Sequence, residues 1–286
     1  MNWAAFRTLN ESNNPELSFI EVFRLAALQV GCAATRLQSE VSLGEKPGQA
    51  TPEGAALTAV DLAAQDVILH LLHAAMPEVA VDAEEVTDTL GLFPKVDENL
   101  PLVVVDPIDG TLNYASGSKD YAVMGAFVRD GVYTAAVVNF PARQQLFWAQ
   151  RGAGCWQQTP NNQARQVHLE GAPPTVQVTS HFPESWKSNL SEIGYQVQVS
   201  RCSAVDAAAP VNGRAAAAIS LGKLGRRRAI GMLLTLEAGG VVKINGRNWQ
   251  AEDPLLLSDR RGPIVVADSE PTAARILSAL GKVRSS

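Results

Sequence analysis

A fully apolar run, Leu102 to Val105, ends abruptly in Asp106-Pro107-Ile108-Asp109-Gly110-Thr111, and this junction constrains the chain more than any other feature. The run predicts a strand. Pro107 biases Asp106 toward an extended backbone and fixes the exit direction, so that Asp109 points back beside Asp106. Two carboxylates in this arrangement, with the Ile108 carbonyl between them, are hard oxygen ligands of the kind Mg²⁺ prefers. Gly110 lets the backbone approach a phosphate closely, N–H groups at the following turn can donate to its oxygens, and the Thr111 hydroxyl can hold a water. The bland alternative is a polar turn after a buried strand, because turn chemistry also favours Asp, Pro and Gly.

The surroundings decide between the two. From Leu17 to Leu37 the residues Phe19, Ile20, Phe23, Ala26, Val30 and Ala33 recur at helical spacing, and residues 1–16 ahead of them read as a polar extension. A polar loop, Ser42 to Glu53, separates this helix from a second one over Thr58 to Ala75. Val79 to Val81 is a short strand candidate that ends in Asp82-Ala83-Glu84-Glu85. If it pairs with Leu102–Val105, Glu84 becomes a third carboxylate beside Asp106, a cluster that is costly without cations or protons. Tyr121–Val128, Val132–Asn139 and Gln145–Ala149 read as an antiparallel meander. Farther on come an Ala-rich helix near Ala204–Val211, an apolar segment Ala215–Leu221, a helix Arg228–Glu237, strands Gly240–Ile244 and Ile264–Ala267, and a last helix Thr272–Leu280. The expected fold is a layered α/β sandwich in two subdomains, 17–158 with the metal site and 159–286, with the active site at their junction.

Composition sets limits on the ligand. At 286 residues and 46% hydrophobic the chain can bury a large core, and a net charge of −5 leaves no broad footprint for nucleic acid or an anionic membrane. A phosphate here must be held by a local device, which points to a small ligand. Cys32, Cys155 and Cys202 are odd in number, widely spaced and without CxxC, against a disulfide framework or a zinc site and in favour of a reducing cytoplasm. Cys155 and Cys202 read as small buried hydrophobes, His70 and His73 as helix surface or packing, and Gly239-Gly240 as a tight turn. Neither an export signal nor a membrane-spanning apolar stretch is expected.

Asp106 to Tyr114 matches the signature Asp-Pro-Ile/Leu-Asp-Gly-Thr-x-Asn-Phe/Tyr, so the chain resembles the inositol monophosphatase family of lithium-sensitive, Mg²⁺-dependent phosphatases, whose superfamily includes fructose-1,6-bisphosphatase. Lys46, Thr58-Ala59-Val60-Asp61, Ala83-Glu84-Glu85, Gly117, Tyr121-Ala122-Val123, Arg151-Gly152-Ala153-Gly154 and Glu237-Ala238-Gly239-Gly240 extend the resemblance over nearly the whole chain. It implies an αβαβα sandwich of the sugar-phosphatase type and, commonly, a homodimer. It also implies Mg²⁺ on Glu84, Asp106, the Ile108 carbonyl and Asp109, with Glu84 and Thr111 orienting a water for in-line attack on a small phosphate monoester. Asp61 would support the water shell, the Gly110 and Thr111 N–H groups would hold phosphate, and a second ion would stabilise the leaving alkoxide.

The resemblance breaks at one place. The family's Trp-Asp, whose Asp binds the second ion, falls on Arg226-Arg227, and no acidic residue lies between Asp206 and Glu237 to restore it. Three alternatives follow: a solvated basic helix start in a protein that has lost activity, a guanidinium of Arg227 that replaces the second cation and touches phosphate, or a ligand from elsewhere. The family's inositol-binding Glu falls on Ser220. Lys223 and the three arginines suggest a more anionic substrate, a bisphosphate or nucleotide. The rival to an enzyme is a silent homologue that binds phosphorylated ligands or regulates a partner.

Overall fold

The computed structural model describes residues 14–46, 56–169, 171–221, 225–250 and 262–281. Helix α1, Pro15–Leu37, begins where the Asn14 side chain accepts a hydrogen bond from the Leu17 N–H at 3.1 Å, with Pro15 at the first helical position. Of the expected extension, residues 1–13 lie outside the described residues. Pro15 and Glu16 belong to the helix instead, and Glu16 pairs with Arg129 at 3.3 Å. Among the described residues α1 is the one helix that by length and composition could cross a membrane, yet its stripe of Phe19, Phe23, Ala26, Ala27 and Val30 is buried in the core. A two-stranded ribbon, β1 (Gly44–Glu45) and β2 (Ala56–Leu57), precedes helix α2, Ala59–Ala75. Most of the predicted loop between those strands lies outside the described residues.

The first sheet has the order β3-β4-β5-β6-β7-β8-β9: Ala80–Ala83, Leu102–Asp109, Ala122–Arg129, Val132–Phe140, Gln145–Gln150, Gly154–Gln158 and Arg165–Val167. β3 runs parallel to β4 with Ala83 opposite Val105, and the remaining neighbours are antiparallel. Alternate residues of β4 feed two different cores. Val103 and Val105 pack with the apolar residues of α1 and α2, whereas Leu102 and Val104 pack with Ile230, Leu233 and Leu234 of a central helix. This double burial explains an uninterrupted apolar run. β4 leads through Gly110 into the short helix α3, Thr111–Ala115.

The second sheet has the order β11-β10-β12-β15-β13-β14, formed by Gln196–Val199, Thr175–Val178, Ala217–Ser220, Ile264–Ala267, Val241–Ile244 and Arg247–Asn248. On its outer face lie α4 (Glu184–Glu192) and α7 (Glu270–Gly281), which pack Leu190, Ile276 and Leu280 against Val176, Val178 and Val265. Between the two sheets lie α5, Ser203–Ala207, and the central helix α6, Arg226–Glu237. The layers are therefore helix, sheet, helix, sheet, helix, as expected.

The second sheet is also where the sequence reading departs most. The Ala-rich stretch is helical only as far as Ala207, because Pro210 cannot continue a helix, and Ala215–Leu221 supplies the buried strand β12. β10, α4 and β11 have no counterpart in the reading. α6 starts two residues before the expected Arg228, which brings Arg226 and Arg227 into its first turn.

Candidate active site

A strand alone would place Asp106 and Asp109 on opposite faces, since side chains alternate. The register of β4 against β5 slips by one residue between Asp106, opposite Met124, and Asp109, opposite Ala122. This bulge turns both carboxylates to the same cavity. The parallel pairing of Ala83 with Val105 sets Glu84 next to Asp106. Gly110 has φ of 84°, and a Cβ there would lie 2.9 Å from Cys202 Cβ and 3.0 Å from the Asp120 carbonyl. Only glycine meets both demands.

Two cations hold the carboxylates. Lys46 Nζ lies 2.8 Å from Glu84 Oε1 and 2.6 Å from Glu85 Oε1. From the other side Arg227 Nε lies 3.6 Å from Glu84 Oε2 and 3.9 Å from Asp106 Oδ2. Arg226 is engaged elsewhere: its guanidinium pairs with Asp82 and its carbonyl accepts from Tyr133 Oη at 2.9 Å. Asp61, buried at the start of α2, accepts from the Thr58 N–H at 2.8 Å and from the Thr58 hydroxyl. Thr111 Oγ1 lies 3.0 Å from both Asp61 Oδ1 and the Ile108 carbonyl. Its single proton serves one of them at a time.

Burial, reinforced by the charges of Glu84 and Asp109, pushes Asp106 well above the usual carboxylate range. Burial also acts on Glu84, but the hydrogen bond with Asp106 and the charges of Arg227 and Lys46 outweigh it and hold Glu84 low. Like charges this close oppose each other, so one carboxylate is driven up while the other is held down. Burial raises Asp61 despite its three hydrogen bonds.

The cavity measures about 480 Å³, room for a small phosphorylated molecule. Glu84, Asp106, Ile108, Asp109, Gly110, Thr111 and Arg227 all line it, with Asp61 behind Thr111. Ser220 does not join them. It is buried in β12 opposite Ile264, and the chain reaches the cavity only at the next residue, Leu221. Lys223 lies outside the described residues. His70 is exposed and His73 meets the edge of the Phe93 ring, so neither belongs to the site.

The sequence did not mark Asp206, Cys202, His181 or Arg201 as residues of the cavity, and it marked Arg228 only as one of three arginines suited to an anionic substrate. Asp206 was seen only as the border of an acid-free stretch, yet α5 carries it into the cavity, where burial pushes it up to about 7. Arg228 faces Asp206 and Asp109. Cys202 is buried as expected but is more than filler, for its thiol donates to Asp109 Oδ2 at 3.1 Å. The signal for Asp206, Arg228 and Cys202 was weak, because it depended on where α5 and the first turn of α6 would sit.

Among the described residues no three His, Cys, Asp or Glu side chains converge on one point. The cause is visible: Glu84 is drawn to Lys46 and Arg227, and Asp109 to Cys202. The donor set nevertheless fits a hard cation. Asp106 Oδ1 is buried with no hydrogen-bond partner among the described residues, and a cation there would relieve the repulsion between the neighbouring carboxylates.

Comparison with known proteins agrees with this geometry. The Nus factor SuhB of Xylella fastidiosa is 33% identical over 190 residues, 64% of this chain and 66% of that protein. A fructose-1,6-bisphosphatase/inositol-1-monophosphatase of Thermotoga maritima is 32% identical over 100 residues, 35% of this chain and 36% of its own. The chain thus aligns with less than two thirds of the length of these curated relatives. The solved structure of the extragenic suppressor protein SuhB from Bartonella henselae superposes with a TM-score of 0.74 at 22% identity, covering 93% of this chain and 99% of that one. The model of the inositol monophosphatase family matches residues 20–284, and with the Asp106–Thr111 turn seated beside Glu84 in the fold those relatives share, the chain belongs to that family.

Proposed function

We propose that this protein hydrolyses a small phosphate monoester with the help of Mg²⁺. The observation that carries the reading is the bulge in β4, which brings Asp106, Asp109 and the Ile108 carbonyl into one cavity with Glu84, Thr111 and Arg227. Mg²⁺ would be held by Glu84, Asp106, Asp109 and the Ile108 carbonyl, and when bound supplies charge to phosphoryl oxygens and acidifies water.

The chain's own residues do the rest. With the Ile108 carbonyl committed to the cation, the Thr111 proton goes to Asp61, and the Thr111 oxygen is left to accept from a water. Glu84 presents a carboxylate to the same water. Arg227 donates to the phosphoryl oxygens, and Gly110 and Thr111 offer backbone N–H groups.

His181 and Arg201 at the rim of the cavity, together with the printed name of the Thermotoga relative, support a substrate with a second anionic group. A second reading is a silent homologue that binds phosphorylated ligands or acts on a partner. Arg227 on the metal carboxylates and the factor names of the SuhB relatives favour it. Phosphate release from a panel of mono- and bisphosphates separates the readings. The expected result is Mg²⁺-dependent turnover, lost to a chelator and reduced at least about 100-fold in Asp109→Asn. Undiminished turnover in that variant sinks the site assignment, and silence on the whole panel favours the second reading.

A further inference from the structure

Resting on the reading above, we infer that Arg227 is a built-in second cation of the reaction centre, so that one divalent ion rather than two completes the site and the guanidinium takes the phosphoryl group from the other side. The argument begins with the four carboxylate oxygens of Glu84 and Asp106. Glu84 Oε1 faces Lys46, while Glu84 Oε2 and Asp106 Oδ2 face Arg227. Asp106 Oδ1 is buried and faces no such cation, with no hydrogen-bond partner among the described residues. A cluster whose outer oxygens already face fixed positive charge offers a dication one place.

Two features distinguish Arg227 from an ordinary ion pair. Its Nε is buried, yet at 3.6 and 3.9 Å from the carboxylates it has no hydrogen-bond acceptor among the described residues. The charge is placed beside the carboxylates with no hydrogen bond from Nε to hold the guanidinium to them. Its position is also set in advance. The Arg226–Asp82 pair and the Tyr133 hydroxyl on the Arg226 carbonyl fasten the first turn of α6 to the ends of the first sheet. A guanidinium does not deprotonate and cannot acidify water, so its part is charge and donors alone.

Calorimetric titration of Mg²⁺ into the chelator-stripped full chain tests this without reference to turnover. The wild type is expected to take one ion per chain. Arg227→Asp, which exchanges the guanidinium for a further hard oxygen donor, is expected to take two. Two ions in the wild type overturn the inference and leave the proposed function standing, as does a single ion in Arg227→Asp whose circular dichroism shows it folded. No ion in the wild type overturns both. Arg227→Gln covers the case in which the Asp variant does not fold: it is expected to keep the single ion and to bind inorganic phosphate at least about tenfold more weakly at saturating Mg²⁺. Unchanged phosphate affinity in that variant overturns the inference.

Discussion

Asp206 is a carboxyl almost wholly removed from water, and its Oδ1 has no hydrogen-bond partner among the described residues. Burial pushes it up to about 7, and the charge of Asp109 adds to this, while the Ser200 hydroxyl and the Arg228 charge pull the other way. Its folded-state value therefore lies above the value near 3.9 of an unfolded chain. The sign follows: what the protonated group contributes is present at low pH and is lost as pH rises through about 7. Asp206→Asn keeps the neutral shape and removes the titration. Thermal unfolding without divalent ions at pH 5, 6, 7 and 8 should show the variant gaining on the wild type as pH rises. A difference in Tm that stays constant over this range contradicts it.

At the scale of the element, β5 crosses α1 at Gly125, where a Cβ would lie 2.3 Å from Phe23 Cε2. Neither the ring, buried among α1, α2 and the first sheet, nor the strand has room to give. Gly125→Ala is expected to cost about 1–3 kcal/mol in denaturant unfolding, and an unchanged midpoint would show that the ring can move aside. Elements of this kind were legible in the sequence because their burial is periodic and their ends are marked. α1 and α2 carried helical spacing, and β4 carried an apolar run that stops at a carboxylate. The cluster of Glu84, Asp106 and Asp109 was legible for the same reason, as each follows or ends an apolar strand run. Ser220 and Asp206 were not. Asp206 lies in, and Ser220 just after, an alanine-rich stretch, Ala204 to Ala218, where helix and buried strand look alike, so neither the end of α5 nor the direction of β12 could be read. The bulge that turns Asp109 is a property of pairing with β5 and has no mark of its own beyond Pro107.

For the molecule as a whole, α6 is the middle layer and touches both sheets through Ile230, Met232, Leu233 and Leu234. Its far end is fixed as firmly as its first turn: the Glu237 carboxylate accepts from the N–H groups of Gly152 and Gly154 at 2.9 Å each. This explains why Arg151–Gly154 and Glu237–Gly240 resemble family motifs though far apart in the chain. Asp120 adds a second tie, with Arg143 of the first sheet's meander and Arg214 ahead of β12 on the same carboxylate.

The first turn of α6 also has a thermodynamic side. It stacks Arg226, Arg227 and Arg228 on the positive end of a twelve-residue helix, where the backbone's partial charge favours anions. Asp82 answers one of these charges, and the acidic cluster answers the others only while it stays ionised. A small oxyanion entering the cavity would add a countercharge at this end of the helix. Linkage makes that binding measurable as heat resistance: millimolar inorganic phosphate should raise Tm in the wild type by several degrees more than in Arg227→Gln. On this expectation the protein is sturdier with its ligand than without it, and the arginines that depart from the family pattern tie its endurance to what it binds.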